Sequence, residues 1–478
     1  MTTEDYKTVI SDNQITEISR FIDKARGYNG SSNQITEKDT DILLKYVRDL
    51  HSLNDKGEIA QIHSIISDIN AAFSFNAKAV SLILDIDEFY TELENTVNVL
   101  AGHQEILEVF RLCFNLLIYK PDIQERFIWI FEIAINECKN TPLAEIYYYC
   151  SKIIFSFISN VPDNENNLNV IEIKDASIRS LQFSSREIEC GARIYEFIIK
   201  HCNPMPIRKF MFRDLSMFIR SKKLTPTAMS MILSALSMYL INYSDDEADF
   251  RRNNIFDDIH RYIFGRKTSD GLPDCGIRCL LDFFILVSTL IKITNGQIAK
   301  RYYQCAHLQK FNHFFTEDFD KDCEGIYLYI LELHCMAINN MSNNTEFRNF
   351  LISSIPLHEI MNFECSHIVK CMIIQFVSIY VRNFVEAVEP QYFLNFLIDY
   401  SEFLDDQDVK SDIVSRYIII LIIMLQKLRD DEFKDTYIDD LRENGIYEKL
   451  EEMQAEASDV VAERISIALR FFNEEEVE

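Results

Sequence analysis

Apolar residues recur along this chain at intervals of three and four, the period of a helix with one buried face. The clearest stretch is the last, Asn444 to Phe472, where Ile446, Leu450 and Met453 fall at i, i+4 and i+7 of one helix. Val461, Ile465, Ala468 and Phe472 then fall at i, i+4, i+7 and i+11 of a second. Ala457, Ser458 and Asp459 separate the two, and Ser458 or Asp459 is placed to accept a hydrogen bond from the free N–H groups that open the second helix. Two such helices cannot bury their apolar faces alone, so the pattern predicts a stack of similar neighbours.

The same pattern runs back toward the N-terminus. The first forty residues predict one short helix, Asn13 to Lys24, and a polar loop; NQITE occurs at both Asn13 and Asn33 and reads as a reused helix-start signal. From Asp41 onward the most apolar helices are predicted at about 103–119, 142–160, 184–202, 225–243, 271–293, 322–341, 364–385, 407–428 and 458–473. Their starts lie roughly 40 to 50 residues apart, the range of armadillo and HEAT units. Stretches such as SSREIECGARIYEFIIKHCN from Ser184 are apolar on more than one face, as expected of inner helices touched from both sides. Asp122 to Glu137 and Met205 to Arg220 keep a polar side and are expected to face solvent. Pro121, Pro142, Pro204, Pro226 and Pro390 stand at predicted helix starts, where the missing N–H costs nothing. The two longest breaks, from Val161 and from Gly265, read as surface insertions.

Composition agrees with a chain that is mostly helix: of 478 residues, 48% are hydrophobic, and Gly (11) and Pro (9) are scarce. A net charge of −27 repels phosphate backbones and anionic lipid, so direct nucleic-acid binding is not expected. The same field favours a basic protein segment as partner, although acidity also serves simply to keep a long solenoid soluble. Twelve scattered cysteines, with no apolar leader in MTTEDYKTVISDNQ, point to a reducing compartment, the cytoplasm with the nucleus left open. Tyr417 to Leu425 and Phe283 to Ile291 are far shorter than the ~20 residues of a membrane span and read as buried core helices.

The last unit resembles the closing armadillo repeat of the importin alpha family. Gly445, Lys449, Leu450, Glu451, Met453 and Gln454 are similar to that family's Gly, Lys, Ile, Glu, Leu and Gln positions, and Val461, Ile465, Ala468, Leu469 and Phe472 follow on its apolar positions before the acidic NEEEVE. The resemblance implies a right-handed superhelix and a groove for basic localisation signals, in which Asn side chains clamp the peptide backbone and stacked Trp rings take Lys and Arg stems. The chain departs from that pattern. Its one tryptophan, Trp129, falls on a predicted outer helix, and in RLCFN Asn115 matches the Asn position while Arg111 stands where the Trp belongs. Asn160, Asn203, Asn242, Asn340 and Asn383 close successive inner helices, where a C-terminal cap is the ordinary role of Asn. A basic autoinhibitory segment is also missing, since Lys7, Arg20, Lys24, Arg26 and Lys38 are dispersed.

Catalytic patterns were sought as well. In CSHIVKC, Cys365, His367 and Cys371 on one helix point in different directions and fit buried thiols better than a metal site. Cys275 and Cys279 form a pair with no second pair. No phosphate loop, GxSxG or HExxH is present, and Asp245, Asp246, Asp405 and Asp406 read as solvated loop charge.

The sequence therefore predicts an all-α, right-handed α-solenoid of armadillo/HEAT-type repeats over 41–473, with a tail at 1–40 and an acidic tail at 474–478. The expected function is non-catalytic: a scaffold or adaptor holding an extended, basic protein segment in a superhelical groove, with no cofactor, no metal and no membrane insertion. Arg111, Asn115, Asn160, Asn203, Asn242, Asn340 and Asn383 are the candidate groove residues. An importin-alpha-like import adaptor with an altered groove is the first alternative, and an enzyme with a site assembled between helices is the second.

Overall fold

The computed structural model describes residues 37–75, 86–160, 169–202, 204–265, 273–294, 296–315, 324–341, 345–405, 411–429, 431–455 and 457–473. Among them the regular structure is helical throughout, without a β-strand. The helix expected at Asn13 to Lys24, the acidic tail and Asn203 lie outside the described residues. The chain divides into two compact units, Met1–Thr225 and Pro226–Glu478.

The first unit contains α1 (Glu37–Lys56), α2 (Ile59–Phe75), α3 (Asp87–Leu100), α4 (Ile106–Tyr119), α5 (Ile128–Asn140), α6 (Ala144–Asn160), α7 (Val170–Arg179), α8 (Ser185–His201) and α9 (Arg208–Ile219). Here α2, α4, α6 and α8 pack each on the next, and the intervening helices cover them from one side. Two-sided contact explains the composition. In α4, Val109, Phe110, Leu112, Cys113, Leu116 and Leu117 are all buried, whereas α5 buries only the stripe Ile130, Ala134, Ile135 and Cys138. Side chains also tie neighbouring repeats through backbone groups: Asn54 Nδ2 donates to the Glu92 carbonyl at 3.0 Å, and the Tyr147 hydroxyl to the Ala176 carbonyl at 3.0 Å.

The second unit contains α10 (Pro226–Asn242), α11 (Glu247–Arg252), α12 (Ile255–Phe264), α13 (Ile277–Ile293), α14 (Gly296–Cys305), α15 (Glu324–Met341), α16 (Thr345–Ser354), α17 (Leu357–Met361), α18 (His367–Asn383), α19 (Leu394–Asp399), α20 (Ser411–Lys427), α21 (Lys434–Glu443), α22 (Ile446–Gln454) and α23 (Asp459–Phe472). Again one set stacks in series: α10, α13, α15, α18, α20 and α23. The apolar runs in α13 and α20 are buried core, as Phe283, Leu286, Val287, Tyr417, Ile418 and Leu421 show. No helix among the described residues is long and apolar enough to cross a membrane. Both units are thus built of stacked helical repeats, and the nine most apolar predicted helices are found within a few residues of their expected bounds.

Several local expectations are corrected. The break from Val161 is shorter than expected, because Val170–Arg179 is a helix, opened by Asn169, whose side chain accepts from the Glu172 N–H. Asp122–Glu137 is not one helix: Pro121–Phe127 forms a 3-10 turn before α5 begins. Ser458 occupies the cap position of α23 without a side-chain cap bond; its backbone carbonyl accepts from Ala462 at 2.8 Å instead. Asp246 is not solvated, being buried and bonded by the Tyr239 hydroxyl; Asp405, by contrast, is exposed as expected and pairs there with Lys449 Nζ at 2.7 Å. Cys365 precedes α18, with Ser366 as the cap, so the three CSHIVKC ligand types do not share one helix.

Candidate binding face

Of the predicted groove residues, Arg111 and Asn115 lie together on α4, and both are engaged by the protein itself. Arg111 pairs with Glu108 at 3.7 Å, and Asn115 donates to Asn70 Oδ1 at 3.5 Å. Asn70 in turn donates to the Glu108 carbonyl and carboxylate, each at 2.9 Å, which joins α2 to α4. Asn383 is the last residue of α18 and donates from Nδ2 to the Ile379 carbonyl one turn back at 2.8 Å, while the cap position itself falls to Phe384. Asn242 is exposed at the end of α10. Asn160 and Asn340 stand in the last turns of α6 and α15, but their side chains, like all of Asn203, fall outside the described residues. Among the described side chains, Asn115 and Asn383 are thus held by bonds within the protein and Asn242 is exposed.

A different set of side chains converges. On α6, Tyr148, Lys152 and Phe155 occupy one face at i, i+4 and i+7; on α8, Arg186, Glu189 and Arg193 face them. Together with Ser151 and Cys190 they line a cleft of about 100 Å³. Cations lie over the rings: the Arg186 guanidinium is 4.2 Å and Lys152 Nζ 5.5 Å from the Tyr148 centroid, and the Arg193 guanidinium is 5.6 Å from that of Phe155. Each such contact is worth about 0.5–1 kcal/mol at an exposed site, which offsets part of the rotamer entropy a long side chain loses when it is held. Aromatic contacts extend the row both ways, Phe114 to Tyr149 at 6.1 Å toward α4 and Phe155 to Phe197 at 6.1 Å along α8.

The position of Arg186 is set by the start of its own helix. The Ser184 N–H donates to Glu187 Oε2 at 3.2 Å, the Ser184 hydroxyl donates to the same carboxylate, and Arg186 Nε donates to Glu187 Oε1 at 2.8 Å. Burial alone would push the Glu187 carboxyl up, but the hydrogen bonds from Ser184 and Arg186 hold it below the ordinary value. Glu189 accepts from the Thr225 hydroxyl at 2.5 Å. Burial lowers the Lys152 ammonium, with Arg193 adding to the effect, and raises the Tyr148 phenol. Among the described residues, neither Lys152 nor Arg193 forms an ion pair. Sequence patterning places these residues on inner helices and does not single them out; the signal available is two aromatics and one cation at helical spacing on α6 and two arginines seven apart on α8.

A second cleft, about 280 Å³, is lined in the second unit by Cys365, His367, Lys370, Glu402 and Phe403. Its charges are already satisfied: Lys370 Nζ pairs with Glu402 at 2.6 Å, and the His367 ring stacks on Phe403 at 4.8 Å. Burial pushes the Cys365 thiol up to about 12, which keeps it protonated and poorly nucleophilic. Cys371 is not part of the lining, and no group of three metal-binding side chains converges among the described residues. Cys275 and Cys279 are both buried, Cys275 lying before α13 next to Gly276.

No known protein family's sequence profile matches the chain, and no curated protein matches it either. Among solved structures it is similar to the crystal structure of an engineered protein from the Northeast Structural Genomics Consortium, with a TM-score of 0.59, 11% identity, and coverage of 90% of this chain and 99% of that one. At that identity the likeness is one of fold, and it shows an all-helical architecture shared along most of the length.

Proposed function

We propose that this protein is a non-catalytic binding scaffold whose repeats are of right-handed armadillo type within each unit, and that it holds an extended protein segment across the inner helices. The observation that carries this is the row on α4, α6 and α8, where Phe114, Tyr149, Tyr148, Phe155 and Phe197 alternate with Lys152, Arg186 and Arg193 on a half-buried surface. Rings and guanidinium planes offer large contact areas at low conformational cost, the composition that dominates protein recognition sites. The armadillo assignment draws on the 40-to-50-residue spacing and on the resemblance of the last repeat to importin alpha. A net charge of −27 speeds the encounter with a segment that is basic overall. The narrower import-adaptor reading has less behind it, because Asn115 and Asn383 are occupied by bonds within the protein.

Hydrogen exchange on the full chain tests the proposal. A peptide selected from an array of 12-residue sequences should slow exchange in α4, α6 and α8, and the double variant Tyr148→Ala/Phe155→Ala should lose that protection. Retention of no peptide, or protection confined to other helices, removes the basis for the assignment.

A further inference from the structure

We propose that the cleft between α6 and α8 is an oxyanion site, which receives one carboxylate or phosphoryl side chain of the bound segment. This deepens the scaffold reading and rests on it for the source of the anion. Three observations converge. Three cationic side chains, Lys152, Arg186 and Arg193, line a space of about 100 Å³. A space of this size has room for several water molecules, and its cationic lining suits a carboxylate or phosphate group in their place.

The cations outnumber the acids that face them. Glu187 is held by Ser184 and by Arg186. Glu189 also lines the cleft, takes the Thr225 hydroxyl and acts on Lys152. Lys152 and Arg193 make no close ion pair among the described residues and lie over the Tyr148 and Phe155 rings. Two half-buried cations thus share one carboxylate, and a bound anion relieves the desolvation cost of the surplus charge.

The third observation is preorganisation. Arg186 is fixed from both sides, by the Glu187 carboxylate and by the Tyr148 ring, and the Arg193 guanidinium is held over Phe155. Planar guanidinium groups held in this way present paired N–H donors to an oxyanion, and charge-assisted bonds of that kind are the strong ones. The aromatic row on either side supplies contact for the residues flanking the anchor. Nucleic acid fits poorly, since the repeated phosphates of a strand would meet the field of a chain carrying a net −27.

The test uses the full-length chain on an array of 12-residue peptides with Lys-rich flanks, each sequence printed with phosphoserine, Glu, Gln or Lys at its centre. Phosphoserine and Glu versions should bind about tenfold more tightly than their Gln and Lys versions. The Lys152→Gln/Arg193→Gln variant, checked for folding by circular dichroism, should bind the phosphoserine, Glu and Gln versions of a sequence with equal affinity, whatever its overall affinity becomes. Inorganic pyrophosphate should raise the melting temperature of the wild-type chain and not that of the variant. Equal binding of all four versions, an undiminished preference in the variant, or tighter binding of a 20-nucleotide thymidine strand than of the phosphoserine peptides overturns the oxyanion site. If no peptide binds but pyrophosphate stabilises only the wild-type chain, the cleft is an oxyanion site and the scaffold reading is what fails.

Discussion

Two helices of the first unit meet closely at Gly191, and the contact yields a prediction whose size can be worked out. The Ser177 hydroxyl donates to the Gly191 carbonyl at 2.7 Å, which draws α7 onto α8. A methyl group at Gly191 would stand 2.6 Å from the backbone oxygen of Ser177 and would also strike the Ser180 side chain. Real Cβ contacts do not fall below 3.0 Å, and the obstacle is backbone, so no rotamer change relieves it. Overpacking costs about 1–3 kcal/mol, and against backbone that cannot move aside it lies in the upper part, about 2–3 kcal/mol; the better helix propensity of Ala returns about 1 kcal/mol, leaving Gly191→Ala net destabilising by about 1–2 kcal/mol. For a unit of this size that corresponds to a fall of about 2–8 °C in melting temperature, read by far-ultraviolet circular dichroism. Gly325→Ala is the control, because its methyl group would meet only Leu281 at 3.4 and 3.6 Å, ordinary contact distances. That variant should be neutral or gain about 0.5 kcal/mol. A Gly191→Ala chain as stable as the wild type would show that α7 and α8 are not in the contact described.

Three further outcomes follow from polar groups paired within the protein. His334 is enclosed, with Nδ1 2.7 Å from the Tyr303 hydroxyl, and burial pushes its imidazole down to about 3 from an ordinary 6.5. The unfolded chain takes up that proton first, so this contribution is intact above pH 6.5 and is lost as pH falls toward 3. By pH 5 the loss is about 2 kcal/mol, and His334→Gln should flatten the urea-denaturation midpoint between pH 7 and 5. Lys449, one of the positions resembling importin alpha, pairs with the half-exposed Asp405 and is itself about a quarter exposed; Lys449→Met should cost under about 1 kcal/mol in urea denaturation. Ser230 donates to the buried Asp282 carboxylate, which also accepts from Arg278 Nε at 3.2 Å. Removing that hydroxyl in Ser230→Ala should cost about 1–2 kcal/mol, and a neutral result would mean water replaces it.

The stacked inner helices were legible in the sequence because contact on two sides demands apolar residues on two faces. In α10, Met229, Ile232, Leu233, Leu236, Tyr239 and Leu240 leave little room for an alternative reading. The helix α7 was missed for the opposite reason. Its buried face includes Ala176 and Ser177, and Ser180 follows at its end, small residues that let α8 come close at Gly191. Close approach thus removes the bulky apolar side chains from which helical periodicity is recognised. Asp246 was misjudged similarly, since its desolvation is relieved by Tyr239, whose position seven residues earlier becomes meaningful only once the chain has turned through Ser244–Asp246.

The candidate site was less legible still, and the reason bears on how charge should be read in this protein. Tyr148, Lys152 and Phe155 have the spacing of any amphipathic helix, and nothing in the order of residues says that Arg186 and Arg193 will face them. That depends on the registry between α6 and α8, which is set by packing and by α7 bonding to both, through the Tyr147 hydroxyl to the Ala176 carbonyl and the Ser177 hydroxyl to the Gly191 carbonyl. The total charge also pointed elsewhere. A sum of −27 describes the field several ångströms out, where it acts on approach, but salt screens it over about 8 Å and it says little about a cleft whose own carboxylates are held by Ser184, Arg186 and Thr225. Encounter and anchoring can therefore favour opposite signs of charge. A segment with basic flanks and one acidic or phosphorylated centre satisfies both, whereas a uniformly basic one satisfies only the first.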